Sequence, residues 1–394
     1  MKSDKLTLRG NTRPVFCGGV QIGGGAPVSI QSMTNTSTED AEATAAQVKA
    51  LAIAGADIVR CAVPTPEAAS ALAEIRARLD EAGVETPLVA DVHFDYKTAL
   101  AAIAAGADKI RINPGNIGGA ERLKAVADAA GAAGIPIRVG VNGGSIETGL
   151  RELYEKSPAE ALCESALISI ETIRKTGFED IVVSVKSADV MINTEAHRLL
   201  AASTDLPLHI GITEAGIGAA GAAKSAAGIG SLLAMGIGDT IRVSLTGDPV
   251  AEIAVARDIL RAVNLLPGQI TLISCPTCGR CRVDLEALCL EAAGALEGLE
   301  RTRLAEAGRT RNEGPKPDES EEAFLARLAA VEKPIIAALM GCAVNGPGEA
   351  SHADVGVACG SDGGVYFEKG AQVRTVKYAE IVPALLQGVK TLAE

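Results

Sequence analysis

From about residue 28 the chain repeats one pattern: a short apolar run, then polar or glycine-rich residues, then an alanine-rich helical stretch. The runs are VSIQSMT, ADIVRCAVP, PLVADVHF, KIRINPG, PIRVGVNGG, DIVVSVKS, PLHIGITEAG and TIRVSLTGDP. They read as eight strands, with stretches such as EDAEATAAQVKALAIAGA as the helices between them. Eight such units over roughly 240 residues match a TIM-type barrel in number and length, with a doubly wound parallel sheet as the alternative. Ahead of them, TRPVFCGGVQIGGGAP reads as a hairpin whose Gly23-Gly24-Gly25 is a turn.

After Leu265 the repeat stops. SCPTCGRC follows, then a charged segment from about Leu290 to Glu332 containing RTRNEGPKPDESEE, expected as helix, solvated mobile loop and helix. KPIIAALMGCAVNGPGE resumes as a strand. Short strands at DVGVACG and GGVYFEKG and a final helix, YAEIVPALLQGVKTL, complete a small α+β domain. The fold expected is therefore α/β: a TIM-type (β/α)8 barrel over residues 1–267, then a small α+β domain over 268–394 with a charged insertion at about 290–332.

Composition sharpens this. The chain is 47% apolar but only 2% aromatic, so Ala, Val, Ile, Leu and Gly must fill the cores. Its net charge of −12 argues against broad nucleic-acid binding and makes clustered cations informative. No stretch reaches the roughly 18 to 20 apolar residues of a spanning helix, and MKSDKLTLRGNTRPV lacks a signal-peptide core. A soluble, cytoplasmic protein with no membrane partner is expected, and its nine cysteines read as thiols or ligands rather than disulfides.

The strands carry unusual residues for a barrel. Arg60, Arg111 with Asn113, Arg138 with Asn142, Ser184 with Lys186, and Arg242 with Ser244 fall near strand ends, where a barrel has its mouth. Five cations would converge there against Asp91 and Glu214, too few carboxylates to neutralise them. A phosphorylated ligand, best a diphosphate, supplies the missing charge; internal salt bridging is the alternative. His93 and His209 are expected at the same mouth as hydrogen-bonding or structural groups. His197 and His352 receive no role. Lys186 could form a Schiff base, but phosphate binding suits its arginine neighbours better. GIGAAG, Gly216 to Gly221, fits a dinucleotide fingerprint in form, but the next strand lacks the acidic residue at its end.

Cys275, Cys278 and Cys281 fall within SCPTCGRC, and Cys342 and Glu349 in MGCAVNGPGE. A four-thiolate zinc knot would use Cys275, Cys278, Cys281 and Cys342, but a second Cys-x-x-Cys knuckle is absent. Iron–sulfur is favoured over zinc on this spacing. Cys17, Cys61, Cys163, Cys289 and Cys359 are scattered and read as small core or surface residues.

SCPTCGR followed by GCAVNGPGE strongly resembles the 4-hydroxy-3-methylbut-2-enyl diphosphate synthase family of the non-mevalonate isoprenoid pathway. QSMTNT, ADIVRCAVP, ADVHFD, KIRINPGNIG, RVGVNGGS, VSVKSAD, HIGITEAG and GDTIRVSLTGDP look like that family's segments, so the likeness spans essentially the whole chain. It implies a [4Fe–4S] oxidoreductase that reductively opens 2-C-methyl-D-erythritol 2,4-cyclodiphosphate with two electrons and loss of water. It further implies Cys275, Cys278, Cys342 and Glu349 as cluster ligands. The diphosphate binders implied are Arg60, Arg111, Arg138, Lys186, Arg242 and Ser244, with Asn142 nearby, and Glu214 is the proton donor. Flavodoxin or ferredoxin would supply electrons. A homodimer in which one chain's cluster domain caps the other's barrel is implied as well. The chain departs from the family pattern in the extra thiol Cys281 and in the length of the segment near 290–332.

Overall fold

The structure, a computed structural model, describes residues 8–342, 348 and 350–393. The chain divides into two compact units between Val263 and Asn264. The segment just after that division is tied to the second unit: the Gly268 amide donates to Glu332 O at 2.8 Å, and Gly268 O accepts from the buried Arg303 at 3.2 Å.

The first unit opens with a hairpin, β1 (Val15–Cys17) and β2 (Val20–Ile22), followed by eight strands: β3 (Ser29–Met33), β4 (Ile58–Ala62), β5 (Leu88–Asp91), β6 (Lys109–Ile112), β7 (Ile137–Asn142), β8 (Ile181–Lys186), β9 (His209–Ile210) and β10 (Thr240–Ile241). All eight pair in parallel in the order β8-β7-β6-β5-β4-β3-β10-β9, and a bridge between Val183 and Leu208 closes the ring. This is the expected barrel, with every apolar run of the repeat forming its strand. Around it lie α1 (Ala41–Ala54), α2 (Pro66–Glu81), α3 (Tyr96–Ala104), α4 (Ala120–Ala133), α5 (Arg151–Lys156), α6 (Pro158–Arg174), α7 (Val190–Ala201), α8 (Gly218–Ala234) and α9 (Pro249–Ala262).

The helices start where their caps say they should. Asp40, Thr65, Asp95, Asp189 and Asp248 each accept a first-turn amide with the side chain, a contact worth about 1 kcal/mol apiece. Pro66 and Pro249 occupy first helical positions, where a missing N–H costs nothing. Each cap sits just after a strand end, so chain reversal occurs at the barrel mouth. At the opposite end the hairpin closes the barrel: Val15, Cys17 and Ile22 pack on Ile58, Val89 and Val182 in one buried cluster.

The second unit is built on the five-stranded sheet β11 (Ile270–Ser274), β12 (Ile335–Met340), β13 (Val355–Gly360), β14 (Gly363–Glu368) and β15 (Ala371–Lys377), paired in that order. β11, β12 and β13 run parallel; β14 and β15 return antiparallel. The helices are α10 (Leu285–Glu313), α11 (Glu321–Glu332) and α12 (Ile381–Ala393). Leu285, Leu288, Ala292 and Leu296 of α10 and Ile381, Leu385 and Val389 of α12 cover one face of the sheet. Ala338, Met340, Ala353, Ala358 and Phe367 form a second cluster. The charged segment is helix, loop and helix, and two of its charges are buried rather than solvated. Glu300 accepts the Ile270 amide at 3.0 Å, and Arg303 donates to Lys333 O at 2.8 Å. No helix among the described residues is long and apolar enough to cross a membrane.

Candidate active site

A cavity of about 200 Å³ opens at the C-terminal ends of the barrel strands. It is lined by Arg60, Asp91, His93, Arg111, Arg138, Gly140, Val141, Asn142, Ser184, Lys186, Thr213, Arg242 and Ser244. Strand alternation explains the gathering. Met33 pairs with Arg60, Asp91 with Arg111, Arg111 with Arg138, Gly140 with Ser184, and Asn142 with Lys186, so these positions share the inner face.

Two carboxylates serve five cations. Asp91 lies 3.1 Å from Arg111 Nη1 and 3.6 Å from Arg60 Nε. Glu252, on α9, lies 3.6 Å from Arg242 Nε, while also accepting from the Leu245 amide at 3.0 Å. Arg138 donates to Ser184 Oγ at 2.8 Å, and its Nε and Nη2 have no hydrogen-bond partner among the described residues. Neither Arg138 nor Lys186 makes an ion pair among the described residues. Met33 Sδ accepts from Arg60 Nη2 at 2.9 Å and lies 3.4 Å from Arg242 Nη1, a soft contact that leaves the positive charge uncancelled.

Electrostatics follow from that imbalance. Burial and the neighbouring arginines push Lys186 and Arg138 well below their ordinary values. Burial takes Arg60 down to about 10 against the opposing pull of Asp91. Burial alone would raise the Asp91 carboxyl, but Arg60, Arg111 and Arg138 together hold it below the usual range. Half-exposed His93 is lowered by desolvation and the arginines; its Nε2 lies 2.7 Å from Arg111 Nη1, the contact of a neutral ring accepting from a guanidinium. The site is thus a cationic cup whose charge Asp91 and Glu252 balance only in part.

Glycine leaves room for two of the cations. A Cβ at Gly140 would stand 2.7 Å from Arg111 Nε, and one at Gly211 would stand 2.9 Å from Lys186 Nζ. Sequence reasoning missed both glycines, as well as Met33, Thr213 and Glu252. Met33 was recoverable from period-2 alternation with Gln31, and Glu252 from its place in the first turn of α9.

Two expected mouth residues lie elsewhere. Asn113 is buried and accepts the Gly115 amide at 3.1 Å, shaping the turn that Pro114 begins. His209 begins its strand instead of ending it: it pairs with Thr240, which pairs with Ser29, the first residue of β3. It is fully buried and does not line the cavity, and burial with nearby cations keeps its ring well below the ordinary value. Glu214 is exposed, next to the lining residue Thr213, and has a φ of 54°, a conformation that costs a non-glycine residue about 1–3 kcal/mol. In GIGAAG, Gly221 serves packing: a Cβ there would come 2.8 Å from Leu245.

In the second unit, Cys275 directly follows β11, and Cys342 lies two residues beyond β12, its parallel neighbour. The Gly341 amide donates to Cys275 Sγ at 3.2 Å, an N–H···S bond of the kind that stabilises a thiolate. Cys278 is exposed. The Cys281 amide donates to Cys278 O at 2.9 Å, closing the turn, and the Arg282 amide donates to Gly341 O at 3.2 Å. Glu349 lies outside the described residues, among which no three His, Cys, Asp or Glu side chains converge on a metal position.

The cation-lined cup and the thiol-bearing second unit define a (β/α)8 protein with a charged candidate site and a candidate soft-metal domain. Residues 12–257 match the GcpE TIM-barrel domain, and residues 308–391 match the GcpE protein C-terminal domain. The chain is 46% identical over 389 residues to 4-hydroxy-3-methylbut-2-en-1-yl diphosphate synthase (flavodoxin) of Caldanaerobacter subterraneus subsp. tengcongensis, covering 99% of each chain. It is 45% identical over 394 residues to the synthase of the same name from Bacillus subtilis, covering 100% of this chain and 95% of that one. The chain belongs to the GcpE family.

Proposed function

We propose that this chain catalyses the reductive opening and dehydration of 2-C-methyl-D-erythritol 2,4-cyclodiphosphate to 4-hydroxy-3-methylbut-2-enyl diphosphate, in isoprenoid precursor synthesis. The observation that carries this reading is the cup itself: five cations against two carboxylates, in a space of about 200 Å³, ask for a compact ligand with more than one negative charge. Arg138 and Lys186, without ion pairs of their own, take the diphosphate most directly. Arg60, Arg111 and Arg242 are oriented by Asp91, Glu252 and Met33. Ring opening leaves the departing oxygen on the diphosphate, so negative charge grows where the cations already point. Glu214 stands at the rim to hand a proton to the hydroxyl lost as water.

Cys275, Cys278 and Cys342, with Glu349 as fourth donor, would hold a [4Fe–4S] cluster. The N–H···S bond from Gly341 and the soft donor set fit such a group. When bound, it supplies single electrons and a Lewis-acidic iron, with flavodoxin, the donor in the relatives' names, as its reductant. Phe94 and Ile217, on the loops after β5 and β9, and Met191, in the first turn of α7, are each 70% exposed or more and would give the mouth an apolar rim. That rim suits a homodimer in which a partner's cluster domain caps the barrel.

Anaerobic purification followed by iron, sulfide and zinc analysis, a visible spectrum and an assay with reduced flavodoxin tests the reading. A brown protein that converts the cyclic diphosphate is expected. A colourless zinc protein without turnover would overturn it. Mixing Glu214→Gln and Cys342→Ser chains should restore activity in heterodimers if the site is shared between chains, and leave it absent if each chain works alone.

A further inference from the structure

β12 and β13 run side by side in register, Leu339 beside Val357 and Met340 beside Ala358. One step further, the same register brings Gly341 beside Cys359. Cys359 is fully buried in the apolar layer under α10 and α12, the layer that also holds Leu339 and Val357. By strand alternation, a side chain on Gly341 would point into that layer too. Its place is taken: Cys281 Sγ lies 2.6 Å from where the Gly341 Cβ would stand, Cys281 Cβ 3.4 Å and Leu285 Cδ2 3.2 Å. Cys281, reached from a distant turn, therefore fills the position beside Cys359 on one face of the sheet. Both are free thiols, Cys281 partly exposed and Cys359 buried. Neither belongs to the donor set assigned to the cluster.

We propose that Cys281 and Cys359 form a redox couple that closes to a disulfide when a small disulfide such as oxidised glutathione reaches the turn. Cys281 Sγ takes the place a Gly341 side chain would occupy, one strand over from Cys359 on the same face, and Gly341 leaves no side chain between the two thiols. The exposed partner reacts first. The Cys281 thiolate attacks one sulfur of the oxidant, whose S–S bond breaks, leaving a mixed disulfide and one glutathione thiolate. Cys359 then gives up its proton and attacks Cys281 Sγ, releasing the second glutathione. Two protein thiols lose two electrons in all, one glutathione disulfide gains them, and the two protons end on the two glutathione thiols. The product ties the turn carrying Cys278 covalently to β13. The inference does not depend on what the second unit binds.

The test uses the intact protein purified without oxygen, so that any bound cluster shields its own ligands. After exposure to oxidised glutathione and alkylation of remaining thiols, non-reducing peptide mapping should find Cys281 joined to Cys359, and dithiothreitol should release them. Cys359→Ala should keep glutathione on Cys281, and Cys281→Ser should leave Cys359 reduced. A parent protein that retains glutathione on Cys281, pairs Cys281 with Cys278, or leaves Cys281 unreacted overturns the proposal. The Cys281→Ser arm stands even if Cys359→Ala fails to fold.

Discussion

Gly140 lies beneath the Arg111 guanidinium, so close that a Cβ there would stand 2.7 Å from Nε and 3.0 Å from Nη2. The Gly140→Ala variant should therefore displace Arg111 while leaving β7 paired. The expected result is a rise in KM of roughly tenfold or more, equivalent to losing part of a charge-assisted contact of about 1.5–3 kcal/mol, with little change in melting temperature. Steady-state kinetics beside thermal unfolding checks this. An unchanged KM would mean the guanidinium has room to move aside.

Lys186 and Arg138 should show stability and affinity moving in opposite directions. Each is a basic group held out of water without an ion pair in the free protein, at a cost in folding energy whether it is charged or neutral. Lys186→Met should raise the melting temperature of the ligand-free protein, and it should weaken binding of the cyclic diphosphate, or of pyrophosphate as a probe, by about 10- to 100-fold. Differential scanning fluorimetry and calorimetric titration read the two effects separately.

The same residue sets a pH dependence. Burial and the arginines lower the folded-state pKa of Lys186 well below its ordinary value. Between those two values the unfolded chain binds more protons than the folded one, so this group makes stability rise with pH across that window. Across that window the group should add to the melting temperature of the ligand-free protein as pH rises, and Lys186→Met should flatten that contribution. Within that window pyrophosphate, by favouring the protonated form of Lys186, should bind with proton uptake, seen as a dependence of binding enthalpy on buffer ionisation. Equal slopes in parent and variant would place the titration elsewhere.

Glu214 combines exposure with a left-handed backbone. Glu214→Gln should fold as the parent does and bind ligand with similar affinity, yet lose turnover by about 100-fold or more, the scale of a lost general acid. Glu214→Gly should be as inactive but more stable by about 1 kcal/mol, because glycine adopts φ near 54° without strain. Activity retained in Glu214→Gln would remove the residue from the chemistry.

In the second unit, Cys275→Ser, Cys278→Ser and Cys342→Ser should each lose stable iron, whereas Cys281→Ser should retain it and stay active. Glu349→Ala should keep an oxygen-sensitive cluster and turn over poorly. Iron per chain and the visible spectrum decide the matter. Iron lost from Cys281→Ser, with Glu349→Ala unaffected, would exchange the roles of those two residues.

The barrel was legible because two periods alternate cleanly along the chain. Arg60, Asp91, Arg111, Arg138, Asn142, Lys186, Arg242 and Ser244 stood out as polar residues at the ends of apolar strands, and all of them line the cavity. His209 misled because β9 spans only two residues, so nothing in PLHIGITEAG separates the start of the strand from its end. Asn113 misled because a strand-end polar residue ahead of proline can cap a turn as readily as face a ligand. Two strands escaped notice. β15 is exposed along its length except at Val376 and carries no inward stripe, while ITLIS of β11 is eclipsed by the cysteines that follow it. Gly140 and Gly211 are invisible to alternation, since their contribution is the absence of a side chain where a cation lies.

The hairpin packs across the far end of the barrel, so among the described residues the cup opens at its mouth. Whatever enters past the rim must leave the same way, and no second molecule can queue behind the first. Substrate and product should therefore exclude one another outright, so product inhibition should be competitive. Because ring opening adds negative charge to the diphosphate, a cup of cations should grip the product harder than the substrate, and departure through the mouth, not bond breaking, is where turnover should slow.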